Sequence, residues 1–484
     1  VQLFAYNQIG PPDELWVWVG IMGVATPPAV TFEIIGLPTQ SVLPLTQVAH
    51  FEPMGDEVRD INDRPLNHRA IFSLPWPATR ERFTLAVMAG DQRVTLTSKR
   101  LALVLPDKNT DSFNLLLSSC YYQPNDKAQA LADIINAVKP AVDFTVLAGD
   151  QVYLDLPSQQ NLPADRMHLA QVLGKKYQIN WFSTPLHQPG LADILRHGPI
   201  LCVPDDHEYW NNFPFFQVQL NNTYCEEDRT NWRAVATRLY ERYQMSPAQS
   251  AGFFRQDIEP LSMLFLDGRT YRDADAMFNA ATRSAIEQWK IQLLARKQNN
   301  QPAVGLLSSG QAVVIEKPGI WERNMCDMEM VNYPDFASIK NALQELFAAE
   351  IPVLYLTGDV HWGRILEGKN QRGKILFYEI IASPSRLIDT LGSDQKKRFV
   401  NKFRSQTKPF PCHSAAPDDI PDLKLANITL EIKHKQVGDH VALLRFHAIP
   451  GGLEFSVDYV CTDPNEKSRR QYSSTQGPYK VLSL

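Results

Sequence analysis

From about Leu15 to Leu105 the chain alternates short apolar runs with Pro, Gly and Asp: Leu15-Trp16-Val17-Trp18-Val19, Val30-Thr31-Phe32-Glu33-Ile34-Ile35, Arg82-Phe83-Thr84-Leu85-Ala86-Val87 and Val94-Thr95-Leu96-Thr97. Runs of this length, bounded by turn residues and without a helical period, predict a small β-sandwich domain over residues 1–108. The texture changes after Pro106-Asp107-Lys108-Asn109. Asn114-Leu115-Leu116-Leu117 predicts a buried strand. Asn125-Asp126 then caps a helix with Ala128, Leu131, Ile134, Ile135 and Val138 on one face, and Phe144-Thr145-Val146-Leu147 predicts the next strand. This order implies an α/β domain over residues 109–484, with a mostly parallel sheet whose sites gather at the carboxyl ends of its strands.

The alternation continues through Ile200-Leu201-Cys202-Val203 and Ser262-Met263-Leu264-Phe265-Leu266. Ser284 and Glu287 read as a capping box before a helix carrying Ile286, Trp289, Ile291 and Leu294. A helix from about Asp335 feeds a strand at Val353-Leu354-Tyr355-Leu356. Strands return from about Leu423 to Cys461, including Val441-Ala442-Leu443-Leu444 and Leu453-Glu454-Phe455-Ser456-Val457, and are expected to extend the second sheet of the main domain.

Composition narrows the function. The 484 residues include 48 Lys and Arg against 53 Asp and Glu, a formal charge of −5, which argues against a nucleic-acid scaffold. No apolar run approaches the roughly 20 residues of a membrane-spanning helix. The chain opens at Val1 without a basic-then-apolar leader, so the compartment is not read from this end. Six cysteines, at 120, 202, 225, 326, 412 and 461, contain no CxxC pair and suggest no disulfide framework. A basic run, Lys396, Lys397, Arg398, Lys402, Arg404 and Lys408, reads as a solvated face, with a rim for an anionic substrate as its functional alternative.

Four segments share one form, an apolar strand ending in metal-competent residues. They are Leu117-Ser118-Ser119-Cys120, Leu147-Ala148-Gly149-Asp150-Gln151-Val152-Tyr153, Val203-Pro204-Asp205-Asp206-His207-Glu208 and Leu356-Thr357-Gly358-Asp359-Val360-His361. Taken singly, an Asp after a strand usually caps a helix, Gly-Asp is a common turn and a lone Cys is a small core residue. Taken together, they place Cys120, Asp150, Asp206, His207, Asp359 and His361 at one edge of a parallel sheet, a candidate metal or catalytic cluster.

Those motifs, in that order, together with Leu266-Asp267-Gly268-Arg269-Thr270-Tyr271-Arg272 and Glu287-Gln288-Trp289, resemble the PhoD-like (alkaline phosphatase D) branch of the calcineurin-like metallophosphoesterases over about residues 111 to 390. The resemblance implies a four-layer α/β/β/α domain preceded by a β-domain, a dinuclear metal centre and phosphoester hydrolysis. Ser119-Cys120 and Gly358-Asp359-Val360-His361 depart from the Asp-x-His and Gly-His-x-His of the wider superfamily, and point to this branch.

Carried over, the resemblance makes Asp150 the bridging carboxylate. Cys120, Tyr153 and His361 fall on one metal, Asp206 and Asp359 on the other, and His207 becomes the catalytic histidine. Thiolate and imidazole suit a transition metal such as Fe or Zn, whereas carboxylates alone suit Ca²⁺, Mg²⁺ or Mn²⁺. The family's Fe³⁺ with Ca²⁺ balances the five negative charges of ionised Cys120, Tyr153, Asp150, Asp206 and Asp359. A metal-bound hydroxide is then the expected nucleophile, and an imidazolium at His207 the expected proton donor, its ring oriented by Glu208. Arg269 and Arg272 are candidate phosphate ligands through their planar forks, or else ion-pair partners. Asp155 reads as a support of the site or a loop cap.

The expected substrate is a small-molecule or lipid phosphoester. Phosphomonoesterase, phosphodiesterase and phospholipase D-like activities stay open. The aromatic run Tyr209-Trp210, Phe213, Phe215-Phe216 is either an apolar leaving-group pocket or, more commonly for such runs, packing. A catalytically inactive phosphate- or lipid-binding module and a metal-stabilised structural domain are the alternatives of other classes. Relatives of this type are often exported, so the resemblance suggests a periplasmic or secreted protein and leaves the cytoplasm open.

Overall fold

The computed structural model describes residues 1–36, 41–45, 50–126, 129–157, 160–183, 190–217, 220–314, 330–385, 428–436, 438–462 and 471–484. In the first hundred residues the short apolar runs become β1 (Gln2–Gln8), β2 (Glu14–Met22), β3 (Val30–Ile35), β4 (Ser41–Val42), β5 (Glu52–Pro53), β6 (Asn67–Pro75), β7 (Phe83–Ala89) and β8 (Gln92–Ser98). The runs that follow form β9 (Phe113–Ser118), β10 (Phe144–Ala148) and β11 (Ile200–Val203), then β12 (Phe253–Ile258), β13 (Leu261–Leu266), β14 (Val304–Ser308) and β15 (Val353–Thr357). The chain continues with β16 (Gly363–Lys369), β17 (Ile375–Ile381), β18 (Thr429–Gln436), β19 (His440–Ile449), β20 (Gly452–Thr462) and β21 (Gln471–Leu482). The helices are α1 (Ala130–Ala137), α2 (Arg166–Phe182), α3 (Leu191–Ile194), α4 (Glu226–Tyr243), α5 (Ala280–Gln298) and α6 (Phe336–Ala348). None of the described helices is long and apolar enough to cross a membrane.

Among the described residues three sheets form, making a mixed α/β molecule. The largest runs β21-β20-β19-β9-β10-β11-β1-β2-β6-β5, the second β12-β13-β14-β15-β17-β16-β18 and the third β4-β3-β7-β8. β9, β10 and β11 are parallel, as are β13, β14, β15 and β17, so each set sends its carboxyl ends to one edge. Their side chains are buried on both faces, as the lack of alternation requires. Leu115, Leu117, Val146 and Leu201 meet Met263, Phe265, Leu306, Leu354 and Ile380 in one core. Leu116, Leu147 and Cys202 face α1, α2 and α4, while Leu264, Leu307, Val353 and Tyr355 face α5 and α6.

The four strands expected early in the chain all form, as β2, β3, β7 and β8. Val17, Val19 and Ile21 of β2 pack on Phe32, Leu85 and Leu96 of the four-stranded sheet, while Trp18 points the other way into the core under α2 and α4. β1 pairs in parallel with β11, Gln8 opposite Ile200, and the Ile9 N–H donates to the Ile200 carbonyl at 3.0 Å. Hydrogen bonding in the ten-stranded sheet therefore runs across residue 108.

Three local expectations need correction. The late strands were expected together on the second sheet. Instead β18 joins the seven-stranded sheet beside β16, whereas β19, β20 and β21 extend the other one, β19 antiparallel to β9. α5 has Asn279 at its N-cap, the side chain accepting from the Thr282 N–H, whereas Ser284 lies inside the helix and its hydroxyl accepts from Gln288. α1 begins at Ala130 with Gln129, not Asp126, at its N-cap position; Asp126 lies four residues upstream and accepts the Ala130 N–H at 2.7 Å, and Ala128 lies outside the described residues. The basic run from Lys396 to Lys408, Cys326 and Cys412 also lie outside them.

His440, at the start of β19, is buried, with its Nδ1–H donating to the Gly438 carbonyl at 2.7 Å and its ring edge-on to Tyr459. Burial holds its pKa down to about 4. The unfolded chain takes up this proton near pH 6.5 and the folded chain only near 4, so stability is lost as pH falls through that window, by about 3 kcal/mol in all. Urea unfolding from pH 7 to 4 should show a His440→Asn variant with a shallower acid slope than the parent; equal slopes would remove His440 from the acid response.

Candidate metal centre

Cys120 follows β9, Asp150 follows β10, Asp206 follows β11, and Asp359 and His361 follow β15. Two glycines let the strand ends close up. At Gly149, which has φ of +89°, a Cβ would stand 2.5 Å from the Asp205 Cβ, and at Gly358 it would stand 2.2 Å from the Ser119 Oγ. Each Gly-Asp motif is thus a place where two backbones come too close for a side chain. Cross-strand bonds fix the approach: the Cys120 N–H donates to the Gly149 carbonyl at 3.1 Å, Tyr121 N–H to Asp150 at 2.8 Å and Ser385 N–H to Ser119 at 2.8 Å.

The expected residues meet. Ligand atoms of Cys120, Asp150 and His361 lie within 4.8 Å of one another, as do those of Asp150, Asp206 and His207, and those of Asp150, Asp205 and Asp359. Asp150 is common to all three groups. The Tyr153 hydroxyl donates to Asp150 Oδ2 at 3.2 Å, and the Cys120 Sγ stands 3.6 Å from the same oxygen. Cys120, Asp150, Asp359 and His361 hold φ of +54°, +59°, +68° and +58°, the left-handed region that non-glycine residues avoid. Backbone strain at four candidate ligands is a feature of built sites, where the surroundings over-determine the conformation.

Electrostatics point to a cation. Burial pushes the Cys120 thiol, the Tyr153 phenol and the Asp150 carboxyl well up. Asp150 raises both of the others, and Asp206, Asp205 and Glu208 raise Asp150. A cation among them would reverse each shift by favouring the ionised forms. Thiol, phenol, imidazole and carboxylates packed around one shared carboxylate therefore fit metal ions.

His207 is held differently from the expectation. Its Nδ1 faces Asp155 Oδ1 at 2.8 Å, and Asp155 Oδ2 accepts the Asn211 N–H at 3.0 Å, so Asp155 orients the ring. Burial alone would lower the His207 pKa, but the carboxylates of Asp155, Asp206 and Asp150 raise it well above the ordinary value, favouring imidazolium. Glu208 faces away from the ring. It accepts the backbone N–H groups of Asp150, Gln151, Val152 and Asp205 at 3.0, 2.7, 3.2 and 2.9 Å. Burial pushes its pKa up to about 7, with these donors opposing. Asp205-x-x-Glu208 has the spacing of a capping box, the sequence signal for this role.

Arg269 and Arg272 are held by partners within the protein. Both are buried, at 0% and 1% exposure. Arg269 donates from Nε to Asp205 at 2.5 Å and from a terminal nitrogen to the Phe213 carbonyl. Arg272 donates to the Gly268 carbonyl and to Gln311, both at 2.7 Å, and lies over the Tyr333 ring. The aromatic run is mainly packing: Tyr209 stacks on Phe213, Trp210 packs on Trp232, and Phe216 alone of the five is open to solvent, at 48%.

Ser383 escaped the sequence reading. Its hydroxyl lies 3.1 Å from the Cys120 Sγ and accepts the His361 N–H at 3.1 Å. It follows β17, a parallel strand, so the strand-end criterion would have found it. Asn212, whose N–H donates to Asp206 Oδ2 at 2.9 Å, carried no such signal.

The fold has a solved counterpart. The structure described as "Structure of PhoD" aligns with 99% of this chain and 90% of its own length at a TM-score of 0.58, with 13% identical residues, a likeness of fold. Residues 115–322 match the family described as PhoD-like phosphatase, which bears out the resemblance read from the motifs and implies a hydrolase acting on phosphoester bonds. Amylomaltase from Corynebacterium glutamicum aligns over 73% of this chain and 55% of its own at 10% identity and a TM-score of 0.15, which supports no inference. No curated protein matches the sequence.

Replacing Asp155 by Asn should lower the His207 pKa, since a neutral amide no longer favours imidazolium. An NMR titration of the histidine ring in metal-stripped protein checks this, and an unmoved pKa would remove Asp155 from the assignment.

Proposed function

We propose that the chain is a metal-dependent phosphoester hydrolase whose active site is the cluster around Asp150. The observation that carries this is the convergence on one buried carboxylate of a thiol, a phenol, imidazoles and further carboxylates from four separated strand ends. In this reading Asp150 would be shared by two cations, Cys120, Tyr153 and His361 would hold one, and Asp206 and Asp359 would hold the other. The donor types favour Fe³⁺ in the first position and Ca²⁺ in the second, with Zn²⁺, Mn²⁺ or Mg²⁺ as alternatives. Such a pair, when bound, supplies Lewis-acid polarisation of the phosphoryl oxygens and an activated water.

The chain's own groups do the rest. His207, with Nδ1 held by Asp155, presents Nε2 as the proton donor to the departing ester oxygen. Glu208 keeps the Asp150 and Asp205 backbones in register, and Asn212 fixes Asp206. Arg269, through Asp205, braces the loop that bears Asp206 and His207 and is proposed as a positioning residue; Arg272 braces the neighbouring turn through Gln311. We read residues 1–108 as a β-sandwich unit and residues 109–484 as a four-layer α/β/β/α domain, supported by separate cores between the two large sheets and under the helices on either side. The proposed substrate is a small-molecule or lipid phosphoester.

Protein purified without chelator should contain close to one transition-metal ion and one hard divalent ion per chain, and should hydrolyse p-nitrophenyl phosphate or bis-p-nitrophenyl phosphate, the ratio ranking monoester against diester. His207→Ala should lower kcat by about 10²- to 10⁴-fold with metal content unchanged. Tyr153→Phe should abolish a visible charge-transfer band if iron is present. Fully metallated protein inert towards both esters would favour the binding-module reading; failure to bind any transition metal would sink the ligand assignment.

A further inference from the structure

We propose that Tyr6, Gln8 and Trp18, in the first two strands, are positioning residues for Asp150, acting through the C-terminal end of α4. The proposal rests on the reading of Asp150 as the central metal ligand and extends it to a part of the chain outside the family match, which begins at residue 115.

The last carbonyls of a helix have no partner within it. At the end of α4 three consecutive ones are taken by side chains of β1 and β2. Trp18 donates from Nε1 to the Arg242 carbonyl at 2.8 Å, the Tyr6 hydroxyl donates to Tyr243, and Gln8 donates from Nε2 to Gln244 at 3.2 Å. The next turn is tied to the same strand, since the Ser246 hydroxyl donates to the Ile9 carbonyl at 2.6 Å. All three N-terminal donors are buried. The helix end is also pinned to β11, the strand that leads to Asp205 and Asp206: Tyr240 and Gln249 both donate to the Cys202 carbonyl, at 3.3 and 2.7 Å.

Gln244 carries the connection onward. Its backbone carbonyl receives Gln8, and its side-chain Nε2 donates to Glu208 Oε1 at 3.4 Å. Glu208 in turn holds the N–H groups of Asp150, Gln151, Val152 and Asp205. Hydrogen bonds thus run unbroken from β1 to the backbone of Asp150, which is kept at φ of +59°. If the helix end shifts, the carboxylate that holds this strained turn shifts with it, and the spacing between Asp150 and Asp206 changes. Partners outside the ligand shell commonly change metal affinity about 10- to 100-fold when lost.

The test is a triple variant of the full chain, Tyr6→Phe, Gln8→Leu and Trp18→Phe, which removes three donors and keeps the bulk. Amide hydrogen exchange at residues 150 to 152, well below the unfolding temperature, should accelerate about tenfold, and Mn²⁺ titrated into metal-stripped protein should bind about tenfold more weakly. Gln244→Leu alone should reproduce both effects, and adding the triple change to it should give no further loss. Leu85→Ala, which weakens the core beneath the four-stranded sheet, is the stability control and should leave both readouts at parental values. Unchanged exchange at residues 150 to 152 in the triple variant, with only the melting temperature lowered, would overturn the proposal. A parent protein that takes up no Mn²⁺ would count against the proposed function, and the exchange comparison would still decide the connection.

Discussion

One buried carboxylate sets the geometry of the site. Glu208 receives four backbone N–H groups, three from the turn after β10 and one from the turn after β11. A carboxylate has lone pairs enough for these donors, and in a low-dielectric setting each such bond is stronger than in water. Asp150 and Asp206 descend from the two turns so held, and their separation follows from the single side chain between them. The left-handed backbone at Asp150 persists because this bond network leaves it no relaxed alternative.

Around that clamp the chain gathers groups that repel one another when ionised. Cys120, Tyr153 and Asp150 are each driven up in pKa by burial and by their neighbours, and His207 is driven up by the acids beside it. Such an arrangement opposes folding unless positive charge enters, so stability and ligand binding are joined at this place. Arg269 offers part of the compensation by pairing with Asp205. Its burial explains why it does not reach outward, since a buried guanidinium released from its partner would be left without charge compensation.

The first hundred residues share hydrogen bonds and core packing with the rest of the chain. β2 is buried on both faces, with valines towards the four-stranded sheet and Trp18 towards the helices, and β1 lies in the ten-stranded sheet beside β11. The side chains that leave this segment cap the end of α4.

What the sequence determined by itself was local: where strands run, because burial on one or both faces writes a period into the chain, and where chemistry sits, because strands that stop in Cys, Asp and His stand out. All six residues picked on that ground meet at one edge. Tertiary structure decided the partners. Glu208 was expected beside the His207 ring and instead binds backbone, while Asp155 holds the ring, because a turn at Asp206–Glu208 directs neighbouring side chains to opposite sides. Arg269 and Arg272 turned inward, β19 to β21 joined the first sheet, and β1 joined β11, all through pairing between segments far apart in the chain. Sequence period encodes how deeply a residue is buried, whereas register between distant strands decides what it is buried against.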